Sequence, residues 1–471
     1  MVPVLETPVL KTPALQTKPA PGLIISAPAS GCGKTVLTLA LLRALRRAGV
    51  AVASAKIGPD YIDPAYHRAA SGAACVNLDS WAMRDGVFST LVQTASQNAD
   101  LVICEGVMGL FDGAQDPSRD GAGSTAEAAA KTGWPVVLVI DARGQAQSAG
   151  ALIEGFLRHR DDIAIAGVIF NRVGGDRHAQ MLRDAARRAG AAVLGCVPRN
   201  PALSLPERYL GLVQASEHNA LEDFLNAAAD VITDAIDLEA LQALARPSNL
   251  TVAEPEPTGT PKPLHPPKPL GQTIAVARDQ AFAFAYPSML NQWRAMGAAV
   301  TFFSPLGDEA PSEDADSVYL PGGYPELHAG RLASNENFLT GLRRTAERGA
   351  AVYGECGGYM TLGETLTDGN GAIHRMSGLL PLRTSFEKPR LHLGYRRAAT
   401  TAPTPLGGAG QCFTGHEFHY ATILEERGTG GAAPLFKVTD ARGDAVPDSS
   451  GLMIGRVAGS FVHLIDCENP S

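Results

Sequence analysis

The stretch that most restricts the fold is residues 22–35. An apolar run at 22–27 (GLIISA) passes through Pro28-Ala29-Ser30-Gly31-Cys32-Gly33-Lys34-Thr35 into a strongly apolar helical pattern at about 36–48. Strand, glycine-rich turn, then helix is the context a phosphate-binding loop requires. The alternation continues: strands are predicted at 50–55, 100–104, 135–141, 163–170 and 191–197, with helical stretches between them. Strands and helices in alternation predict an α/β fold with a doubly wound parallel sheet.

Within this half, the backbone N–H groups of Ser30, Gly31, Cys32, Gly33 and Lys34 are expected to cradle phosphates at a helix N-terminus. The Lys34 ammonium is expected to reach the terminal phosphates of ATP, and the Thr35 hydroxyl to bind Mg²⁺. The usual first glycine of the GxxxxGK[ST] spacing is Pro28 here. Strand 50–55 ends at Lys56-Ile57-Gly58-Pro59-Asp60-Tyr61-Ile62-Asp63-Pro64. A lysine beside two aspartates at a strand's C-terminal end sits where α/β sheets bind ligands. Lys56 is a candidate for phosphate, and Asp60 and Asp63 for Mg²⁺ or for orienting a substrate; a solvated Pro/Asp turn is the alternative. Strand 100–104 runs into Glu105, a Walker-B-like acid placed for Mg²⁺. The glycine-rich segment after it, up to Asp112 and Gly113, either covers a ligand or is only a turn. Asn171, at another strand end, is a candidate for reading a purine base, with an Asn-mediated turn as the alternative.

Residues 247–270 hold eight prolines and few aliphatics, a semi-extended linker. The domain division expected is therefore a disordered tail at 1–20, a nucleotide-binding domain at 21–246, the linker, and a second α/β domain at 271–471. Strands are predicted in the second domain at 273–277, 299–304 and 317–320. Its centre is Tyr353-Gly354-Glu355-Cys356-Gly357-Gly358-Tyr359, led into by an apolar run at 349–353 and followed by a helical stretch at 359–366. That arrangement holds a nucleophile on a sharp elbow, where a helix N-terminus helps hold a thiolate. A buried structural cysteine is the alternative. Gly323, in the Pro321-Gly322-Gly323 turn, and Gly357 are candidates for supplying oxyanion-binding N–H groups. Cys356 needs a base, and His463, approached by an apolar run, is the candidate. No carboxylate stands two residues beyond it, where Ile465 is found, so a third triad member is not identified. His416 and His419 alternate along a strand-like stretch and are expected to serve a substrate surface.

Composition excludes several classes. A net charge of −8 argues against non-specific nucleic-acid binding. The seven cysteines are scattered singly without a CxxC pair, which suggests neither a disulfide framework nor a zinc site and fits a reducing cytoplasm. No run of about 18 apolar residues is present to span a membrane. A homodimer is compatible with the sequence and not required by it.

Together, SGCGKT, KIGPDYIDPAYH, EGVMGLFDG, RDQAFAFAYP, PGGYPE, YGECGGYM, HLGYR and GHEFHY resemble the cobyrinic acid a,c-diamide synthase family, over both domains. The resemblance implies a dethiobiotin-synthetase-like ATPase domain joined to a class I (triad-type) glutamine amidotransferase domain, amidating the a and c carboxylates of a corrinoid in cobalamin biosynthesis. The chain looks more like the aerobic-pathway members that take cobalt-free hydrogenobyrinic acid. The resemblance further implies an acyl phosphate made from ATP, ammonia released by Cys356 and His463, and a water-excluding path between the two sites. Asp63 and Asp112 become candidates for corrinoid recognition and acyl-phosphate positioning, with Asp60, Tyr61 and Ile62 beside them. The chain departs from the family at Ala27-Pro28, where relatives usually have Gly-Thr, and at His463-Leu464-Ile465-Asp466, where they often have HxHF. Cobyric acid synthase and a nickel-sirohydrochlorin diamide synthase are the neighbouring readings. A nucleotide-switch scaffold with an inactive glutaminase domain is the non-enzymatic one.

Overall fold

The computed structural model describes residues 19–97, 99–208, 211–250, 267–426 and 431–468. The chain divides into two compact units, split between Leu264 and His265. Most of the proline-rich stretch expected as a linker lies outside the described residues. Its ends are anchored: Asn249 N–H donates to Thr132 O within the first unit, and Trp293 Nε1 donates to Pro267 O within the second.

In the first unit the strands are β1 (Gly22–Ser26), β2 (Val52–Ile57), β3 (Cys75–Leu78), β4 (Leu101–Glu105), β5 (Val136–Asp141), β6 (Ile165–Val173) and β7 (Val193–Pro198). A short pair, β8 (Glu207–Arg208) and β9 (Gly211–Leu212), follows. The main sheet has the order β3-β2-β4-β1-β5-β6-β7, and every pairing in it is parallel. All five residues of β1 and of β4 are buried. Such unbroken apolar runs form because helices cover both faces of a parallel sheet. Helix α1 (Lys34–Arg47) buries Leu37, Leu41 and Leu45 against the sheet and leaves Arg46 and Arg47 in its last turn. Helix α2 (Asp63–Ser71) follows β2 and turns Tyr66 and His67 inward. Strand β2 extends two residues beyond the predicted 50–55, so Lys56 is a strand residue, and the edge strand β3 was not predicted.

The second unit has β10 (Thr273–Ala277), β11 (Ala299–Phe303), β12 (Ser317–Leu320) and β13 (Ala351–Glu355). Then come β14 (Thr365–Thr367), β15 (Ile373–Arg375), β16 (Leu382–Ser385), β17 (His392–Thr400), β18 (Cys412–His419) and β19 (Thr422–Glu426). The last are β20 (Ala433–Pro434), β21 (Phe436–Asp440), β22 (Leu452–Ile454), β23 (Val457–Ser460) and β24 (Val462–Cys467). A seven-stranded sheet, β11-β10-β12-β13-β23-β22-β20, is parallel from β11 to β23 and antiparallel at its far edge. Two four-stranded sheets, β15-β14-β16-β19 and β21-β17-β18-β24, accompany it. These smaller sheets were not predicted. The helix after Cys356 spans Gly357–Leu362 and not 359–366, since β14 takes over at Thr365.

Candidate functional site

In the first unit, the chain leaves β1 and enters α1 through glycines that no other residue replaces without strain. Gly31 has φ 78° and Gly33 φ 92°, and a Cβ on Gly33 would fall 2.3 Å from Asn171 Nδ2. No acidic residue occupies the first turn of α1, so its N-terminal N–H groups face no competing carboxylate of their own helix. Lys34 Nζ donates to Met108 O at 2.5 Å. Burial pushes its pKa down. Thr35 Oγ1 donates to Glu105 Oε1 at 2.6 Å.

Glu105 is the hub. It ends β4 fully buried, in register with Lys56 of β2. Lys56 Nζ lies 3.0 Å from Glu105 Oε1 and 2.6 Å from Asp63 Oδ2, while His67 Nε2 lies 2.6 Å from Glu105 Oε2. Burial works to raise the Glu105 pKa, yet Lys56, His67 and Thr35 hold it well below the carboxylate range. Burial and the nearby Asp60 raise Asp63 to about 7 against the pull of Lys56. Burial works to lower His67, but Cys75 and Glu105 outweigh it and carry His67 to about 10. The cluster thus keeps a charged carboxylate beside a hydroxyl, a hard-oxygen pair at the foot of the phosphate loop.

The remaining predicted residues are distributed around it. Asp60 Oδ1 accepts from the N–H of Ile62 (2.7 Å) and Asp63 (2.9 Å), shaping the turn into α2, with Tyr61 half-buried between. Asp112, exposed, accepts from Gly109 N–H at 2.9 Å. Asn171 does not aim its amide at an open base site. Its Nδ2 donates to Cys32 O at 2.9 Å and its Oδ1 accepts from Arg172 N–H, so in this structure it braces the phosphate loop. Arg172 was missed by the sequence reading. Held at φ 59°, it donates to Gly31 O at 2.8 Å and to Asp141 Oδ2 at 2.6 Å, a second brace.

In the second unit, β13 ends at Glu355 and the chain turns at Cys356, with φ 46° and ψ −101°. A non-glycine residue there costs about 1–3 kcal/mol, which surrounding contacts must offset. Cys356 N–H donates to Ser460 O at 2.8 Å, and its carbonyl accepts from Met360 N–H at 3.0 Å. Gly358 allows the following helix to press on β12, because a Cβ there would sit 1.9 Å from Leu320 O. Ser460, in register with Glu355, ends β23, and the chain passes through Phe461 into β24, which carries His463.

Gly322 marks where Cys356 and His463 converge. A Cβ placed on it would lie 2.4 Å from His463 Cε1, 3.3 Å from His463 Nε2 and 3.4 Å from Cys356 Cβ. Gly357 N–H faces the Cys356 sulfur, and Gly323 N lies 3.0 Å from where a Gly357 side chain would begin. The helix N-terminus was expected to help hold a thiolate. Instead, burial first, and then the carboxylates of Glu326, Glu417 and Glu355, push the thiol well above its usual value. Burial, with His419 nearby, lowers His463 to about 3. The resting pair is a thiol beside a neutral imidazole, suited to general-base activation.

With this geometry in hand, two family models account for the halves. A CobQ/CobB/MinD/ParA nucleotide binding domain matches residues 23–212, and a CobB/CobQ-like glutamine amidotransferase domain matches 273–470. The hydrogenobyrinate a,c-diamide synthase of Brucella anthropi is 54% identical over 447 residues, covering 94% of this chain and 98% of its own. The chain belongs to that synthase family. The proteins of the same name from Rhodobacter capsulatus (54% identical) and Rhizobium meliloti (52%) match over 94% of this chain as well. Two α/β domains, a P-loop unit and an amidotransferase unit, make it a glutamine-dependent amidoligase. Among the described residues no helix is long and apolar enough to cross a membrane.

His416 and His419 need correction within this family frame. Neither forms an open substrate surface: they are 4% and 6% exposed, since β18 lies between β17 and β24 with both faces covered. The His416 ring stacks on His463 at 4.9 Å, and His419 stacks on Phe461 at 3.8 Å. His392, Glu417 and His419 bring donor atoms within 4.8 Å of one another, a spacing that could hold a metal. The protein already engages two of the three. Glu417 accepts from Arg396 (2.7 Å) and Ser449 (2.6 Å) and meets His419 Nε2 at 2.8 Å, while His419 Nδ1 faces Ala421 O at 3.1 Å. Glu417 and His419 thus belong to a buried polar network with Arg396 and Ser449, and His392 stacks on His419 at 4.6 Å.

The Gly322 geometry yields a prediction. Gly322→Ala should displace the His463 ring and lower glutamine hydrolysis about a hundredfold, while ammonia-supported amidation stays at the wild-type rate. Glutamate release measured beside ammonia-dependent product formation checks this.

Proposed function

We propose that the chain amidates the a and c carboxylates of hydrogenobyrinic acid, using ATP as co-substrate and glutamine as nitrogen donor. The observation that carries this reading is the likeness to proteins of that name across nearly their whole length, at 54% identity for the B. anthropi protein. The site geometry supports the chemistry. A carboxylate is a poor electrophile. Its oxygen attacks the γ-phosphorus of ATP, ADP leaves, and an acyl phosphate results. Ammonia then adds to the carbonyl carbon, and inorganic phosphate departs.

Lys34, Lys56 and the α1 N-terminus supply positive charge where it develops on the transferred group. The Thr35 hydroxyl and Glu105 carboxylate, 2.6 Å apart, form a donor set that fits Mg²⁺. When bound, that ion neutralises phosphate oxygens. Asp63, buried and paired with Lys56, is assigned to holding that lysine rather than to the macrocycle. Asp60, Tyr61, Ile62 and Asp112, on the two loops beside the phosphate site, are assigned to meeting the substrate.

At the other site His463 removes the thiol proton as Cys356 sulfur bonds the glutamine side-chain carbon. Gly323 and Gly357 N–H groups take up the charge on its oxygen, and His463 returns the proton to the departing ammonia. Water then hydrolyses the thioester to glutamate.

Substrate labelled with ¹⁸O in its carboxylates tests the activation step. One labelled oxygen should reach inorganic phosphate for each amide formed. Label in AMP, with pyrophosphate released, would overturn the acyl phosphate.

A further inference from the structure

The residue before the nucleophile is itself a carboxylate, and the fold turns it toward the base. Glu355 closes β13 at 2% exposure, in a strand whose five residues are all buried. Tyr319 of β12 donates its hydroxyl to Glu355 Oε2 at 2.7 Å. Leu464 of β24 donates its backbone N–H to Oε1 at 3.2 Å. Oε2 also lies 3.8 Å from His463 Nδ1. One carboxylate therefore grips the backbone immediately after His463 and faces the ring nitrogen on the side away from the nucleophile. Nε2 lies 3.3 Å from the Gly322 Cβ position, which is itself 3.4 Å from Cys356 Cβ.

We propose that Glu355 is the positioning residue of the glutaminase site, orienting His463 and stabilising the imidazolium that forms when Cys356 attacks glutamine. This rests on the glutaminase reading above. Burying an isolated carboxylate costs several kcal/mol unless it is hydrogen-bonded or paired. The phenol and the N–H offset part of that cost at rest, and His463⁺ completes the pairing only during the reaction. An interaction made only as charge develops raises kcat rather than lowering KM. The electron and proton balance is that of the thiol step: the sulfur lone pair forms the S–C bond, the thiol proton moves to Nε2, and Nδ1–H turns to Glu355.

The arrangement has a pH signature. Burial raises Glu355 to about 7, opposed by Tyr319, the Leu464 N–H and Tyr353. The groups facing it titrate elsewhere. Tyr319 and Tyr353 are raised well above 10, Cys356 is raised as well, and His463 is lowered to about 3. The working form is the carboxylate, so glutaminase kcat should fall as pH drops through about 7.

The test compares full-length wild type with Glu355→Gln and Glu355→Asp. Glutamate release and ammonia-supported amidation are each followed across pH. Glu355→Gln should lose about a thousandfold in glutaminase kcat with little change in KM, and its acid limb should vanish. Glu355→Asp should recover part of the rate, and both variants should keep ammonia-supported amidation. Tyr319→Phe, which removes a hydrogen bond to the ionised form, should move the acid limb to higher pH. An acid limb unchanged in Glu355→Gln and Tyr319→Phe would overturn the proposal, as would a glutaminase rate near wild type in Glu355→Gln. Absence of glutaminase activity from wild type itself would overturn the underlying reading instead.

Discussion

Replacing Cys356 by Ser should abolish glutamine-supported amidation, by about four orders of magnitude or more, and leave ammonia-supported amidation at the wild-type rate. Serine keeps the volume and the elbow, so the strained turn at φ 46° and its bond to Ser460 O are undisturbed. What changes is the nucleophile. The cysteine is already held as a neutral thiol by burial and three neighbouring carboxylates. Its base is a neutral imidazole lowered to about 3. A hydroxyl is a far weaker acid than a thiol, and that base cannot make up the difference. Product formation with glutamine and with ammonium chloride, measured on one preparation, reads both arms. Loss of the ammonia arm would contradict the separation of the two chemistries.

The opposite pattern is expected from Glu105→Gln. Glu105 is the carboxylate that Thr35, Lys56 and His67 all contact. Removing its charge takes away the carboxylate oxygen proposed to hold Mg²⁺ and leaves Lys56 and His67 facing an amide. Amidation should fall by about a thousandfold or more with either nitrogen source. His67 loses its carboxylate partner while Lys56 keeps Asp63 at 2.6 Å; breaking buried ion pairs costs about 3–5 kcal/mol of stability, so a thermal melt accompanies the assay. Lys34→Met is the companion variant, because among the described residues Lys34 Nζ hydrogen-bonds backbone carbonyls, those of Ala29 and Met108. It should lose both amidations with a smaller loss of stability. Activity kept with ammonia in either variant would contradict the assignment of this cluster to carboxylate activation.

The parallel sheets were legible because unbroken apolar runs alternate with helical periodicity, and the elbow and phosphate loop because glycines punctuate them. Strands 273–277 and 317–320 were placed to the residue. Lys56 was placed at the C-terminal end of a strand ending at 55, and its pairing with Glu105 carries β2 through it to Ile57. The two smaller four-stranded sheets were not legible. Their strands are only three to nine residues long and gain their apolar cover from distant segments. The same limit hid Glu355. A triad carboxylate was sought beyond His463, where Ile465 stands, and only the pairing of β13 with β23 brings the residue before Cys356 to the histidine. Arg172 was missed because nothing in its local sequence shows that β6 ends beside the phosphate loop.

The measurement that bears most directly on the central claim is a mass-spectrometric product count. Purified protein is supplied with ATP, Mg²⁺ and amide-¹⁵N glutamine, and with hydrogenobyrinic acid, cobyrinic acid, nickel-sirohydrochlorin or a ready-made a,c-diamide in parallel. Two ¹⁵N atoms entering hydrogenobyrinic acid, at the a and c positions, with none entering the a,c-diamide, is the predicted result. Four ¹⁵N atoms in the a,c-diamide, or two only in the nickel macrocycle, would contradict it, as would ATP turnover with no macrocycle amidated.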